Sequence, residues 1–295
     1  MRDGSVSTPQ ARRFAAALLL ALACAGSPRA ESSEKDILAD PGLELDLSLI
    51  KSQARQIGSA PRPAPAPAAV AAEPRAAAPR KVVWGIDISH YQGRIRWDSL
   101  RGQSLSFVYM KATEGDHLAD PAFLENWQGA SRAELARGAY HFYDLCSAGA
   151  PQAAQFIKLV PRSPGSLPPA IDLEPSPTCG RLPARKALLK QLALFTRKVR
   201  ARYGKMPVVY VTHEMYDRYL RGEKHGLAIW ISDYRGRPTL SDHRPWTFWQ
   251  CTERGTIRGI SGPVDVDFFQ GSPPQFAFLG KPPRHLSLDT HTRKR

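Results

Sequence analysis

The sequence predicts an α/β protein built as a reduced TIM-like barrel. Between residues 82 and 280, short runs of β-branched and aromatic residues alternate with stretches of helical periodicity, and this alternation is typical of α/β folds. Eight strand candidates fall in this region, whereas a full (β/α)₈ barrel needs about 250 residues. The gaps after the fifth candidate are short and hold little helix, so the predicted barrel is reduced in its second half.

The strand candidates are short, apolar and evenly spread. They are 82–88, 107–113, 137–143, 168–174, 207–212, 227–234, 246–253 and 264–269. Two apolar stripes at helical spacing predict helices between them. The first is Leu124, Trp127, Ser131 and Leu135, and the second is Leu188, Leu192, Phe195 and Val199. The second helix is expected to begin near Pro183 and to end at Gly204.

The first 81 residues are predicted to lie outside this domain. An apolar run at 14–25 follows Arg12 and Arg13 and is followed by small residues, which is the order of a secretory signal peptide, here assigned to 1–30. The run is too short to span a membrane, which takes about 20 residues as a helix. An alternative is that Cys24 carries a lipid anchor. We therefore expect an exported protein, periplasmic or secreted.

Two further segments have compositions that cannot form a core. The segment 61–80 has 6 Pro and 9 Ala in 20 residues, so 31–81 is expected to be a disordered Ala/Pro-rich linker. The tail 281–295 is basic and is expected to be a solvated extension. The catalytic domain is thereby delimited to 82–280.

The chain is basic, with 41 Lys+Arg against 27 Asp+Glu and a net charge of +14. A basic exported domain suits an anionic polymer such as a cell wall. The basic residues are scattered, and the sequence has neither a recognition helix nor zinc-finger spacing, so no nucleic-acid partner is expected. We expect a monomer.

Acidic residues gather at the ends of the predicted strands. Asp172 and Glu174 stand two apart on one strand, which places both side chains on the same face with Cα atoms about 6.5 Å apart. Repulsion between them would raise the pKa of one, leaving an acid beside an anion. Glycoside hydrolysis requires this combination. Asp87 and Asp265 lie at the ends of two other strands, where a barrel places reactive groups.

Aromatic residues flank these acids. Sugar rings have apolar faces that stack on aromatic side chains, so the combination of acids and aromatics favours a carbohydrate cleft. The flanking aromatics are Trp84, Tyr91, Tyr140, Tyr143, Tyr210, Trp230, Tyr234 and Trp249.

A series of sequence blocks resembles one known family. The blocks are GIDISHYQG (85–93), FVYMKATEG (107–115), DPAFLENWQGA (120–130), GAYHFY (138–143), AIDLE (170–174), WISDY (230–234), WQ (249–250) and VDVDFF (264–269). In content and order they are similar to glycoside hydrolase family 25, the Chalaropsis-type lysozymes. The resemblance covers nearly all of 82–272.

The resemblance implies a (β/α)₅(β)₃ barrel with N-acetylmuramidase activity. An enzyme with this activity cuts the β-1,4 bond between N-acetylmuramic acid and N-acetylglucosamine in peptidoglycan strands. The resemblance also implies that no metal and no organic cofactor takes part. Glu174 matches the family's general acid/base and Asp172 its partner acid, while Asp87 and Asp265 match further acids. The matched substrate contacts are Tyr140, Tyr210, Trp230, Tyr234 and Gln250.

The last block departs from the family pattern. Asp267 stands where the family more often has Asn, so it adds a carboxyl near the cleft. A catalytically inactive wall-binding protein on the same fold is the alternative function. Retention of all four matched acids favours the enzyme, because a protein that only binds sugar has no need for a proton donor.

Three cysteines lie in the domain. Cys146 and Cys179 follow the third and fourth strands, so they lie on loops at the same mouth of the barrel and are expected to form a disulfide. Cys251 falls within a strand and is expected to be a buried free thiol. His141 is expected to be structural, because its side chain points away from that of Tyr140.

Overall fold

The computed structural model describes residues 82–176 and 179–281. The predicted signal peptide (1–30), the linker (31–81), Cys24 and all but the first residue of the tail lie outside the described residues. Within these two ranges, no helix is long and apolar enough to cross a membrane.

Eight strands form a closed barrel, which confirms the predicted fold class. The strands are β1 (Trp84–Ile88), β2 (Phe107–Glu114), β3 (Leu118–Ala119), β4 (Ala136–Phe142), β5 (Ala170–Asp172), β6 (Val208–Thr212), β7 (Ala228–Ser232), β8 (Phe248–Gly255) and β9 (Val264–Phe269). The strand order is β1-β9-β8-β7-β6-β5-β4-β2, and parallel pairing of β1 with β2 closes the ring. Strand β9 is antiparallel to both of its neighbours, and the short β3 pairs with β2 outside the ring.

The longer helices belong to the first part of the barrel, as predicted. The helices are α1 (Trp97–Leu100), α2 (Phe123–Arg132), α3 (Gly149–Leu159), α4 (Arg185–Tyr203), α5 (His213–Met215) and α6 (Pro273–Leu279). A 3₁₀ turn spans His90–Gln92, and a π-helical turn, Tyr216–Leu220, continues α5.

Helix α4 has the predicted stripe and the predicted end. Leu188, Leu192, Phe195 and Val199 are all buried, and Gly204 ends the helix in the left-handed conformation (φ 71°) that glycine adopts without strain.

The stripe predicted for α2 was wrong at two of its four positions. Trp127 and Leu135 are buried as predicted, but Leu124 is 51% exposed and Ser131 is also exposed, while Phe123 and Ala130 are buried in their place. Gly129 determines which face turns inward, because the indole of Trp97 packs so close that a Cβ at Gly129 would lie 2.1 Å from its Nε1. Such a contact is available only to the face that carries the glycine.

Aromatic side chains fill the interior of the barrel. Phe107, Tyr109 and Phe248 contact one another there, with ring centroids 5.4–6.2 Å apart. At the bottom, Phe276 of α6 packs against Phe107 and Phe269, at 5.3 Å from each. The interior is therefore a packed core, and polar chemistry is confined to the opposite end, where the parallel strands terminate.

The contact between α3 and α4 gives a stability prediction. Gly149 begins α3 and donates its N–H to Oε1 of Gln191, and a Cβ at Gly149 would lie 2.0 Å from the backbone carbonyl oxygen of Gln191. Backbone in the middle of a long helix cannot yield, so we expect Gly149→Ala to lower the free energy of unfolding by about 1–3 kcal/mol. Thermal unfolding measures this. The matched control is Gly180→Ala, whose Cβ would meet open space; equal melting temperatures for both variants would contradict the prediction.

Candidate active site

A pair of acids lies at the end of β5. Asp172, the last residue of β5, stands in register between Phe142 of β4 and Tyr210 of β6 and is buried. Glu174 follows two residues later, half-buried and within hydrogen-bonding reach of Asp172. Burial, and then the charge of Glu174, hold the pKa of Asp172 well above its usual range. The pair therefore retains a proton under conditions in which an isolated aspartate has lost it.

A second group of acids lies across the mouth. Asp87 of β1 and Asp265 of β9 are register partners, and Asp267 lies two residues further along the same face of β9. Both Asp265 and Asp267 are within hydrogen-bonding reach of Asp87. Burial raises the pKa of Asp87 to about 6, although hydrogen bonds from Gln250 and the two acids counteract this rise. Burial also raises the pKa of Asp265 well above its usual range, and Asp87 adds to this shift.

Gln250 joins this acid group to two tyrosines. Its Nε2 donates to Oδ2 of Asp87 at 2.8 Å, while its Oε1 accepts from the hydroxyls of Tyr210 (2.9 Å) and Tyr234 (2.7 Å). Tyr234 is 47% exposed, and Tyr210 and Tyr140 are half-buried. The three tyrosines thus offer partly accessible rings around the acids, as a sugar-binding cleft requires.

Trp230 occupies a different position from the other expected substrate contacts. It is only 2% exposed and packs between Tyr109 and Tyr210, with ring centroids 4.9 and 5.4 Å away. Its Nε1 donates to Oδ1 of Asp267 at 2.8 Å. This position gives Trp230 a role in supporting the floor of the cleft, and it does not support direct stacking on a sugar.

Three of the flanking aromatics also lie away from the cleft. Trp84, Tyr143 and Trp249 are buried in the outer layer between strands and helices. Their strand positions alternate with those of the cleft residues, which turns them to the other side of the sheet. Tyr91, in contrast, is 41% exposed.

One lysine lies close to the acid pair. Lys111 is 5% exposed, forms an ion pair with Glu114 (Nζ to Oε2, 2.7 Å) and lies 4.7 Å from the ring centroid of Phe142. Its charge partly offsets the raised pKa of Asp172. The strand register shifts between Lys111 and Thr113, and this irregularity brings Lys111 and Glu114 together although they are three residues apart.

His141 is structural, as predicted. It is fully buried, contacts Oγ1 of Thr113 (2.7 Å) and Oε1 of Gln152 (3.0 Å), and stacks on Phe195. Burial lowers the pKa of His141 to about 4. The imidazole is therefore neutral at physiological pH and contributes no charge to the cleft.

Sequence reasoning missed a histidine near the rim. Asp233 follows β7, and its Oδ2 lies 2.9 Å from Nε2 of His213 while its Oδ1 accepts from Arg235. Asp233 thus ends a strand, like the other acids, but is already paired. The signal for His213 was weak, because a single histidine after a strand has no distinctive spacing.

The described residues contain no group of three or more His, Cys, Asp or Glu arranged to hold a metal ion. The acids of the mouth contact one another, an amide and aromatic groups. Their arrangement suits proton transfer and charge stabilisation.

The loop that leaves Glu174 is tied to the preceding loop. Cys146 and Cys179 form a disulfide with Cα atoms 5.4 Å apart, and Cys251 is a buried free thiol. The bridge closes a loop of about 34 residues, which the chain-entropy model equates with roughly 3–4 kcal/mol of stabilisation. It restrains the segment that carries Glu174.

The pairing is testable by peptide mapping. We expect digestion under non-reducing conditions to yield one disulfide-linked peptide pair, containing Cys146 and Cys179, and Cys251 to be alkylated only after unfolding, because it is buried. Burial also raises the pKa of its thiol to about 12, which suppresses the reactive thiolate. A disulfide involving Cys251, or three reactive thiols in protein taken from its native compartment, would contradict this pairing.

An eight-stranded barrel with paired carboxyls and accessible tyrosines at one mouth suits the hydrolysis of glycosidic bonds. The chain belongs to the glycosyl hydrolases family 25, whose family model matches residues 86–260. The predicted family is confirmed.

Individual proteins are similar over the same region. YegX of Escherichia coli is 36% identical over 195 residues, covering 64% of this chain and 70% of YegX. Lysozyme M1 of Streptomyces globisporus is 34% identical over 203 residues, and the match covers 64% of this chain and 68% of Lysozyme M1. The solved structure of a family 25 glycosyl hydrolase from Bacillus anthracis superposes with a TM-score of 0.64 at 37% identity, covering 67% of this chain and 93% of that chain.

Proposed function

We propose that this protein is a peptidoglycan hydrolase of the muramidase type, which cuts the β-1,4 bond between N-acetylmuramic acid and N-acetylglucosamine. The observation that carries the proposal is the Asp172–Glu174 pair, because it combines a retained proton with a second carboxyl in one cleft. Similarity to a protein named lysozyme supports the choice of polymer.

Glu174 is the general acid/base in this proposal. It is the more exposed member of the pair, so it can reach the glycosidic oxygen of a bound strand. When the proton they retain lies on Glu174, Asp172 carries the negative charge. Asp172 then stabilises the positive charge that develops at the sugar carbon as the bond to the leaving oxygen breaks. Glu174 subsequently accepts a proton from the attacking water.

Asp87 and Asp265 act as further acids on the opposite side of the mouth. Gln250 fixes the Asp87 carboxyl and the hydroxyls of Tyr210 and Tyr234 in one hydrogen-bond network. Movement of one member therefore disturbs the others, which favours a preorganised cleft. Tyr140, Tyr210 and Tyr234 supply the sugar contacts, and Trp230 supports them from beneath. Export, expected from 1–30, would bring the enzyme to its substrate.

The proposed bond specificity is tested on the products. Purified protein is incubated with peptidoglycan, and the soluble fragments are reduced with borohydride and analysed by mass spectrometry. We expect reduced ends that carry N-acetylmuramic acid. Ends that carry N-acetylglucosamine would indicate the other β-1,4 bond, and binding to the wall without release of fragments would favour the inactive wall-binding alternative. Glu174→Gln is the matched control for contaminating hydrolases.

A further inference from the structure

The acid that departs from the family pattern, Asp267, is buried at the bottom of the acid group. Its side chain is 0% exposed, and it lies below Asp87 and Asp265. Its Oδ1 accepts from Nε1 of Trp230, but its Oδ2 has no conventional hydrogen-bond partner among the described residues. A buried carboxylate oxygen without a hydrogen-bond donor destabilises the folded protein, because a buried anion needs donors to replace the water it has lost.

Among the described residues, no cationic side chain is a principal neighbour of these three acids. Burial has the largest influence on the pKa values of Asp87, Asp265 and Asp267. The neighbouring groups that follow are carboxyls, the amide of Gln250 and the indole of Trp230, with no lysine, arginine or histidine among them. The other titratable groups that respond to Asp267 are the phenol of Tyr109 on β2 and the thiol of Cys251 on β8, which are neutral. Two buried carboxylates and a half-buried one, with Asp87 in contact with both of the others, are strongly destabilised if all three are charged and no counter-ion is present.

A proton on Asp267 resolves both observations. The carboxyl of Asp267 lies within hydrogen-bonding reach of Asp87. If Oδ2 carries a hydrogen, it becomes a donor to the Asp87 carboxylate, while Oδ1 remains the acceptor for Trp230. Burial, and then the charge of Asp87, hold the pKa of Asp267 well above its usual range, in the same direction.

We propose that Asp267 is a neutral carboxylic acid that positions Asp87 by donating a hydrogen bond to it from below. Asp87 then holds the negative charge of the group, stabilised from the side by Gln250 and from below by Asp267. The catalytic consequence of this inference rests on the proposed function, but the protonation state of Asp267 does not.

Infrared spectroscopy measures the protonation state directly. We expect the difference spectrum of wild type minus Asp267→Asn, recorded at neutral pH, to contain the carbonyl stretch of a protonated carboxylic acid. Protons on acids that are distant from Asp267 cancel in the subtraction. Asp267→Leu, which is also uncharged, provides the same subtraction if the Asn variant does not fold. A difference spectrum showing carboxylate bands instead would overturn the proposal.

The dependence of the melting temperature on pH gives a second test, which does not rely on catalytic activity. In the unfolded chain Asp267 loses its proton near pH 3.9, whereas the folded protein retains it. Wild type therefore loses stability relative to Asp267→Asn as the pH rises above about 4, and the gap in melting temperature (variant minus wild type) should widen as the pH rises further. Asp98→Asn removes a carboxyl from an exposed position and is the matched control, with which Asp267→Asn is compared at each pH. The proposal would be overturned if the difference in melting temperature between Asp267→Asn and wild type did not change with pH.

Kinetics test the positioning role. An Asn at 267 can still donate to Asp87 and accept from Trp230, whereas a Leu can do neither. We expect kcat/KM of Asp267→Leu to be about tenfold below that of Asp267→Asn, which is the magnitude of one hydrogen bond to a charged group. The acid limb of its pH profile should move to higher pH, because Asp87 loses a donor. Equal pH profiles of kcat/KM for the two variants would contradict the positioning role of Asp267. If wild type does not hydrolyse peptidoglycan at all, the proposed function is refuted, but the infrared result on the protonation of Asp267 still stands.

Discussion

Glu174→Gln is expected to reduce kcat for peptidoglycan by about 10²–10⁴-fold, the usual contribution of a general acid. The amide has nearly the same shape as the carboxyl but cannot donate the proton to the leaving oxygen. Because Glu174 is half-buried at a loop rather than in the core, the fold should be unaffected. Release of reducing ends from purified wall measures the turnover.

Wall binding and thermal unfolding of the same variant are the controls. Both should match wild type, since neither depends on proton transfer. Near-normal turnover by Glu174→Gln would assign the general acid to another residue. Loss of activity together with a lowered melting temperature would instead indicate a structural effect, and Glu174→Asp would then separate the two, because it restores the carboxyl at a shorter reach.

Asp172→Asn should lower kcat by about 10²–10³-fold with little change in KM, because its charge matters most when the sugar carbon is positive. The variant tests an effect that is specific to the transition state. Asp172 is buried, and an uncharged side chain at that position relieves the cost of burying a charge, so the melting temperature at neutral pH should be equal to or above that of wild type.

Steady-state kinetics of Asp172→Asn on a soluble glycan fragment measure kcat and KM separately. A raised KM with unchanged kcat would make Asp172 a plain binding residue. Asp98→Asn makes the same chemical change at an exposed position on α1 and is the matched control.

The barrel was predictable from sequence because its strands are bounded by clear changes in composition. All eight predicted strands are present, although the candidate at 168–174 is shortened to Ala170–Asp172. The short β3 was not predicted, since two exposed residues have no periodicity to detect. The α2 stripe was misjudged because Phe123 and Leu124 are both large and apolar, so two adjacent faces fit the pattern equally well.

The site was predictable only in part. Strand alternation identified which acids share a face, but it cannot show how deep each one lies along the barrel axis. Trp230 and Tyr210 are register partners on adjacent strands, yet one is buried and the other half-buried. The hydrogen bonds of Gln250 and the position of Asp267 below Asp87 depend on contacts between strands that are far apart in the sequence. No local sequence pattern predicts such contacts.

The antiparallel insertion of β9 between β1 and β8 makes completion of both the barrel and the acid group depend on this one strand. Until 264–269 emerge from the ribosome, β1 and β8 present open edges, and Asp87 has neither Asp265 nor Asp267 beside it. Open strand edges are prone to pair with other chains. We therefore expect a chain truncated before residue 264 to be aggregation-prone and to lack two carboxyls of the acid group.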